Sequence, residues 1–136
     1  MKKVVLILGV CFLVFNANAQ QKENKSEPIG LDTIYNIVDT LPSFPGGDKA
    51  WKNFLKENLK YPKKAWWEEL EADAVLEFVV RKDGSITDIS NLTVNGWGFE
   101  EEAVRLLKKS GKWIPAVKNG KKVNYHAKLT FPFRLK

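Results

Sequence analysis

Apolar residues run almost without interruption from Val4 to Phe15, nearly vanish between Gln20 and Asp32, and then recur with changing period to the C-terminus. The first run follows Met1-Lys2-Lys3 and ends in Asn16-Ala17-Asn18-Ala19, the charged, apolar and small-residue order of a secretory signal. A helical membrane span needs about 20 apolar residues, and this run is shorter. Residues 1–19 are therefore expected to be a signal peptide cut between Ala19 and Gln20; left uncut, they would serve as an inner-membrane anchor. Residues 20–33 are so poor in apolar side chains that they cannot offset the entropy of ordering, and they read as a disordered linker. The remainder, 34–136, has the length of one domain.

Within that domain the period identifies the elements. Ile34, Tyr35, Ile37 and Val38 make a brief apolar patch, a strand or an extended arm, ending at Leu41-Pro42. Phe44-Pro45-Gly46-Gly47 is a turn by composition, and Asp48 after it suits a helix N-cap. Trp51, Phe54, Leu55 and Leu59 then share one helical face until Tyr61-Pro62. Pro62 fits the first turn of a second short helix, Lys63 to Leu70, with Ala65, Trp66 and Leu70 inward. From Ala74 the period becomes two: Ala74, Leu76, Phe78 and Val80 alternate with Val75, Glu77, Val79 and Arg81, and Asp83-Gly84 turns the chain into a second strand. Ile86, Ile89, Leu92 and Val94 break strict alternation, which predicts a bulge near Thr87 or Asp88.

After the Asn95-Gly96-Trp97-Gly98 loop, Phe99, Ala103, Leu106 and Leu107 mark an amphipathic helix to about Ser110. Glu100, Glu101 and Glu102 at its start and Lys108 and Lys109 at its end complement the helix dipole, and Gly111 stops it. Asn119-Gly120 is a tight-turn signal before the clearest strand, where Val123, Tyr125, Ala127, Leu129, Phe131, Phe133 and Leu135 alternate with Asn124, His126, Lys128, Thr130, Pro132, Arg134 and Lys136. Pro132 has no amide proton to give, so one side of this strand is expected to be unpaired. The order αββαβ places the chain in the α+β class.

Composition narrows the chemistry. The only cysteine, Cys11, follows Val10, where lipoprotein processing requires a small residue, and it leaves with the signal. The mature chain then has neither a disulfide nor a thiolate ligand. The formal charge falls from +6 to +4 as Lys2 and Lys3 depart. From Ala103 onward there is no Asp or Glu, so the C-terminal third is basic; export and the lack of any nucleic-acid motif argue for a solvated face and against nucleic acid. His126 is the sole histidine and has no ligand-forming neighbours in sequence, so no metal site is expected. Of the five tryptophans, Trp51, Trp66 and Trp113 fit core positions, while Trp97 between glycines is the candidate for stacking on a sugar. No nucleophile motif, phosphate loop or carboxylate pair stands out, so neither catalysis nor a cofactor is expected.

Read in order, Phe44-Pro45-Gly46-Gly47, Tyr61-Pro62 with Ala65, Phe78-Val79-Val80 before Asp83-Gly84, Glu102-Ala103, Trp113-Ile114-Pro115-Ala116, Asn119-Gly120 and Phe131-Pro132-Phe133 resemble the C-terminal domain of TonB-family energy transducers in its Bacteroidetes form, from about Leu41 to Lys136. The resemblance implies a small antiparallel sheet of three main strands with two principal helices on one face, located in the periplasm. It further implies that the TonB box of an outer-membrane TonB-dependent receptor adds as a strand beside the last strand, at Val123, Asn124, Tyr125, His126, Ala127, Lys128, Leu129, Thr130 and Phe131. Inner-membrane, proton-driven motor proteins would supply the force. Two features depart from the family pattern: Ala72 or Asp73 stands where a glycine is usual, and a cleavable signal replaces the membrane anchor. A receptor-binding adaptor, a decoy or a carbohydrate or cell-wall module without energy transduction is the alternative. An exposed final edge also invites homodimerisation by strand exchange.

Overall fold

A computed structural model describes residues 33–136; the expected signal, the Ala19–Gln20 cleavage point and the linker up to Asp32 lie outside the described residues. The chain runs as β1 (Ile34–Tyr35), α1 (Gly47–Asn58), α2 (Lys63–Trp67), β2 (Ala72–Val80), β3 (Ile86–Asn91), α3 (Phe99–Lys109), β4 (Ala116–Lys118) and β5 (Lys121–Phe133). The sheet order is β1-β5-β2-β3, and β4 also pairs with β5. β2 is antiparallel to both β3 and β5, whereas β1 lies parallel to β5. The α+β class and the expected αββαβ order stand, with the short helix α2 and the short strands β1 and β4 beside it.

One face of the sheet carries the core. Ala74, Leu76, Phe78 and Val80 of β2 and Ala127, Phe131 and Phe133 of β5 meet Phe99, Ala103, Leu106 and Leu107 of α3, all buried. Burying each such large side chain stabilises the fold by about 1.5–3 kcal/mol. Trp51, Phe54 and Leu55 of α1 pack against this core from outside. Trp51 is central to an aromatic cluster, with ring centroids 5.4 Å from Trp113, 5.4 Å from Phe54 and 5.8 Å from Phe131.

Several local expectations are corrected. α1 begins at Gly47 with Gly46 as its N-cap at φ 92°, and no side chain caps it. Asp48 therefore lies one residue inside the helix, where its charge still suits the dipole. α2 ends at Trp67, not Leu70: the Leu70 amide bonds back to the Ala65 carbonyl at 2.9 Å, and Glu69 at φ 53° turns the chain into β2. A single turn leaves room inward for Ala65 alone, so Trp66 is 53% and Trp67 74% exposed. β3 ends at Asn91, and Leu92 and Val94 are exposed.

The bulge is present. The β2–β3 register shifts between Glu77 and Val79, and Asp88 on the facing strand has φ 54°. Asn119 and Gly120 both have positive φ, as the tight two-residue turn between β4 and β5 requires.

Candidate functional site

Within an extended strand each residue points both its N–H and its C=O to one side, and the side alternates. The Val75 carbonyl accepts from the Leu92 amide at 2.8 Å and its amide donates to Thr93 Oγ1 at 3.0 Å, so Val75 faces the β3 side. Its neighbours Ala74 and Leu76 must then face β5. Register pairs Ala74 with Phe131, Leu76 with Leu129 and Phe78 with Ala127. Those β5 residues are turned toward β2, and the main chains of His126, Lys128 and Thr130 point the other way.

That outer side is only partly taken. β1 pairs there, Ile34 with Asn124 and Tyr35 with Tyr125, while Val123 is matched to Ala116 of β4. Beyond Tyr125 no strand among the described residues pairs with the outer side of β5. Of the stretch expected to be open, Val123, Asn124 and Tyr125 are thus engaged within the chain, the parallel pairing of Tyr35 reaches the His126 amide, and buried Phe131 is turned to β2, so the His126 carbonyl and the main chains of Lys128 and Thr130 remain. Pro132 also falls on the outward parity. It has no amide proton, so it withholds a donor without costing the β2–β5 ladder a bond.

A groove of about 240 Å³ lies along this stretch, on the helix-bearing face. Tyr125, Ala127 and Leu129 line it from β5 and Leu41, Pro42, Ser43 and Phe44 from the segment before α1, with Trp51, Phe78, Trp113 and Asp48 completing the lining. Lys128, whose main chain faces outward, also lines it, so the groove opens onto the edge. On the opposite, polar face His126 Nε2 lies 3.5 Å from Glu77 Oε2.

The other features singled out in the sequence fall elsewhere. Trp97 stands half-exposed over an open groove with Pro62, Lys63, Lys64, Gly98 and Glu101. Among the described residues, no group of three or more His, Cys, Asp or Glu is placed to hold a metal, and no helix is long and apolar enough to cross a membrane. Part of the basic C-terminal third is structural: Arg134 pairs with Asp73 at 2.6 Å, and Arg105 pairs with Glu102 and donates to the Asn58 carbonyl at 2.7 Å.

Glu100 and Glu102 do more than complement the helix dipole. Both are buried. Glu100 accepts from the Asn95 amide at 2.7 Å, the Asn95 side chain, Thr93 Oγ1 and the Gly96 amide. Burial alone would raise its carboxyl; the Asn95 and Thr93 donors outweigh burial and hold it below the ordinary glutamate range. Glu102 accepts from the Lys60 amide at 2.7 Å, tying α3 to the end of α1. The Asn95-Gly96 turn four to five residues before Glu100 was the available signal for the first of these.

Comparisons with known proteins identify the family. No curated protein matches the chain. The solution structure of a Helicobacter pylori TonB C-terminal domain is 25% identical, covering 65% of this chain and 92% of that one, with a TM-score of 0.50. A Pseudomonas aeruginosa TonB C-terminal domain is 29% identical over 57% of this chain and 78% of that one, with a TM-score of 0.47. The family model described as the Gram-negative bacterial TonB protein C-terminal matches residues 57–135, more than half of the chain. The chain therefore belongs to the TonB C-terminal domain family.

Proposed function

We propose that this protein is a periplasmic TonB-like module that binds outer-membrane TonB-dependent receptors by taking the receptor's TonB box as an added strand, in energy-coupled nutrient transport. The family is transport-associated and non-enzymatic, which supports the class of function. The observation that carries the binding mode is the outer side of β5 from the His126 carbonyl to Thr130, which no strand among the described residues pairs, bordered by a groove lined mainly by apolar side chains. Unpaired main-chain groups supply affinity to an incoming strand, and side-chain pockets beside them supply selectivity.

A disulfide crosslink tests this reading. Thr130→Cys, on the outward parity of β5, should crosslink to a cysteine-bearing TonB-box peptide, and Ser90→Cys on β3 should not. Equal crosslinking at both positions, or none at Thr130→Cys, would overturn it. The reading includes export with residues 1–19 removed, and with the segment that follows as a linker up to the arm that begins at Thr33. N-terminal sequencing of the exported protein should return Gln20; a retained Met1 would instead make the segment an anchor through which motor proteins could pull.

A further inference from the structure

The family match begins at residue 57, so the arm 33–44 precedes it. This arm is nonetheless bound tightly to the strand pair that carries the open edge. The Thr33 carbonyl accepts from Asn124 Nδ2 at 3.3 Å, and Lys118 Nζ lies 4.5 Å from the centre of the Tyr35 ring. Asp39 Oδ2 accepts from the Asn119 amide at 2.7 Å, Thr40 and Val117 exchange amide-to-carbonyl bonds at 3.0 Å, and Ser43 and Ile114 do the same at 3.0 and 2.8 Å. The arm thus leaves the outer side of β5 at Tyr35, crosses to β4, and delivers Leu41 to Phe44 as the far wall of the groove. Leu41 is 63% exposed there.

Resting on the reading that β5 accepts a strand, we infer that the arm is the selectivity element of this edge. Its occupant is an extended segment of a partner protein with apolar side chains at alternate positions. β1 closes the edge up to the His126 amide and Pro132 withholds a donor at the other end, so the entrant is confined between them. Residues directly opposite each other on neighbouring strands share a face. Side chains facing Ala127 and Leu129 therefore point to the helix-bearing side, into the groove between Leu129 and Leu41–Phe44. Those facing Lys128 point to the polar face. β1 shows that this side of β5 pairs with an extended segment, and the groove continues from the point where β1 stops.

Calorimetric titration of the purified protein with two synthetic peptides tests the inference: a capped heptapeptide alternating Thr and Val, and its control with Ser at every Val position. The alternating peptide should bind about tenfold more tightly than the control, the equivalent of about 1.4 kcal/mol of apolar burial. Leu41→Ser, a change at an exposed side chain, should remove most of that advantage while leaving the control's affinity and the thermal midpoint unchanged. Equal binding of both peptides, or an advantage that survives Leu41→Ser, would overturn the role of the arm and leave strand addition standing. Binding of neither peptide would overturn strand addition as well, as would a dimer through β5 that the peptides fail to displace.

Discussion

The two long edges of the sheet, β3 on one side and β5 beyond the short β1 on the other, end differently. β3 is six residues long, bulged, and twisted at Asp88 with φ 54°; Arg81 reaches across to Thr87 at 2.7 Å and to Asp88 at 2.7 Å. Where β3 stops, Thr93 completes the pairing of Val75 with its hydroxyl, and Glu100 holds Thr93 and Asn95 in place. A bulge, charge and side-chain substitution are all means of denying an edge to other strands. β5 is thirteen residues long and has a regular register with β2 along its whole pairing, and among the described residues its outer side is covered by β1 alone, at Asn124 and up to the His126 amide. The difference shows that an edge is opened by leaving a long strand uncovered over a chosen stretch, and shut by local irregularity.

The sharpest way to break the comparison is to insert proline on each parity of β5. Leu129→Pro removes an amide directed at β2 and should cost about 3 kcal/mol or abolish folding, read as a loss of the cooperative thermal transition. Lys128→Pro removes an outward amide, so the fold should survive while peptide binding falls. If both substitutions unfold the protein equally, the parity assigned to the edge is wrong.

The next effect lies where the β2–β3 turn meets the lead-in to β4. Gly84 has φ +86°, and a Cβ there would sit 2.2 Å from the Trp113 carbonyl oxygen, while the Trp113 amide donates to the Gly84 carbonyl at 2.9 Å. Gly84→Ala should destabilise by about 1–3 kcal/mol in chemical denaturation. A neutral result would show that the turn is not pinned against Trp113.

Glu100 is a buried contributor to the acid sensitivity of the β3 side. Its carboxyl is lowered in the folded protein, so its contribution is complete above the ordinary glutamate range and is lost as pH falls through the lowered folded value. Glu100→Gln should cost about 1–3 kcal/mol at neutral pH and flatten the acid limb of a stability-versus-pH curve. An unchanged acid limb would remove Glu100 from the account. Smallest of all, Arg81→Ala breaks an ion pair whose Asp88 end is exposed and should cost less than about 1 kcal/mol. A measurable gain in strand binding at β3 would then show that Arg81 guards that edge.

The sequence was most informative where one period persisted. The alternation from Val123 to Phe133, the β2 alternation and the stripe of α3 all correspond to observed elements. It misled where an element was too short for periodicity to apply: α2 has one turn, and Trp66, placed inward by spacing, is exposed. Of the candidate site, the strand was legible and the open stretch was not. Nothing in Val123 to Tyr125 signals that their outer sides or hairpin partners are already in use, because Ile34, Tyr35 and Ala116 lie far away or across a turn. The buried roles of Glu100 and Glu102 were hidden for the same reason. A glutamate at a helix start has a sufficient local explanation, and its partners at Thr93 and Lys60 appear only on folding.

By itself, then, the sequence determined the longer elements α1, α3, β2 and β5, where the bulge falls and which face of β2 and β5 is apolar, since these follow from period, turn chemistry and side-chain volume. Tertiary structure alone decided which side of β5 remains unpaired, where along it the opening begins, and that the arm forms the far wall of the groove. Those are properties of pairing between distant segments, and alternation along one strand carries no record of its neighbours.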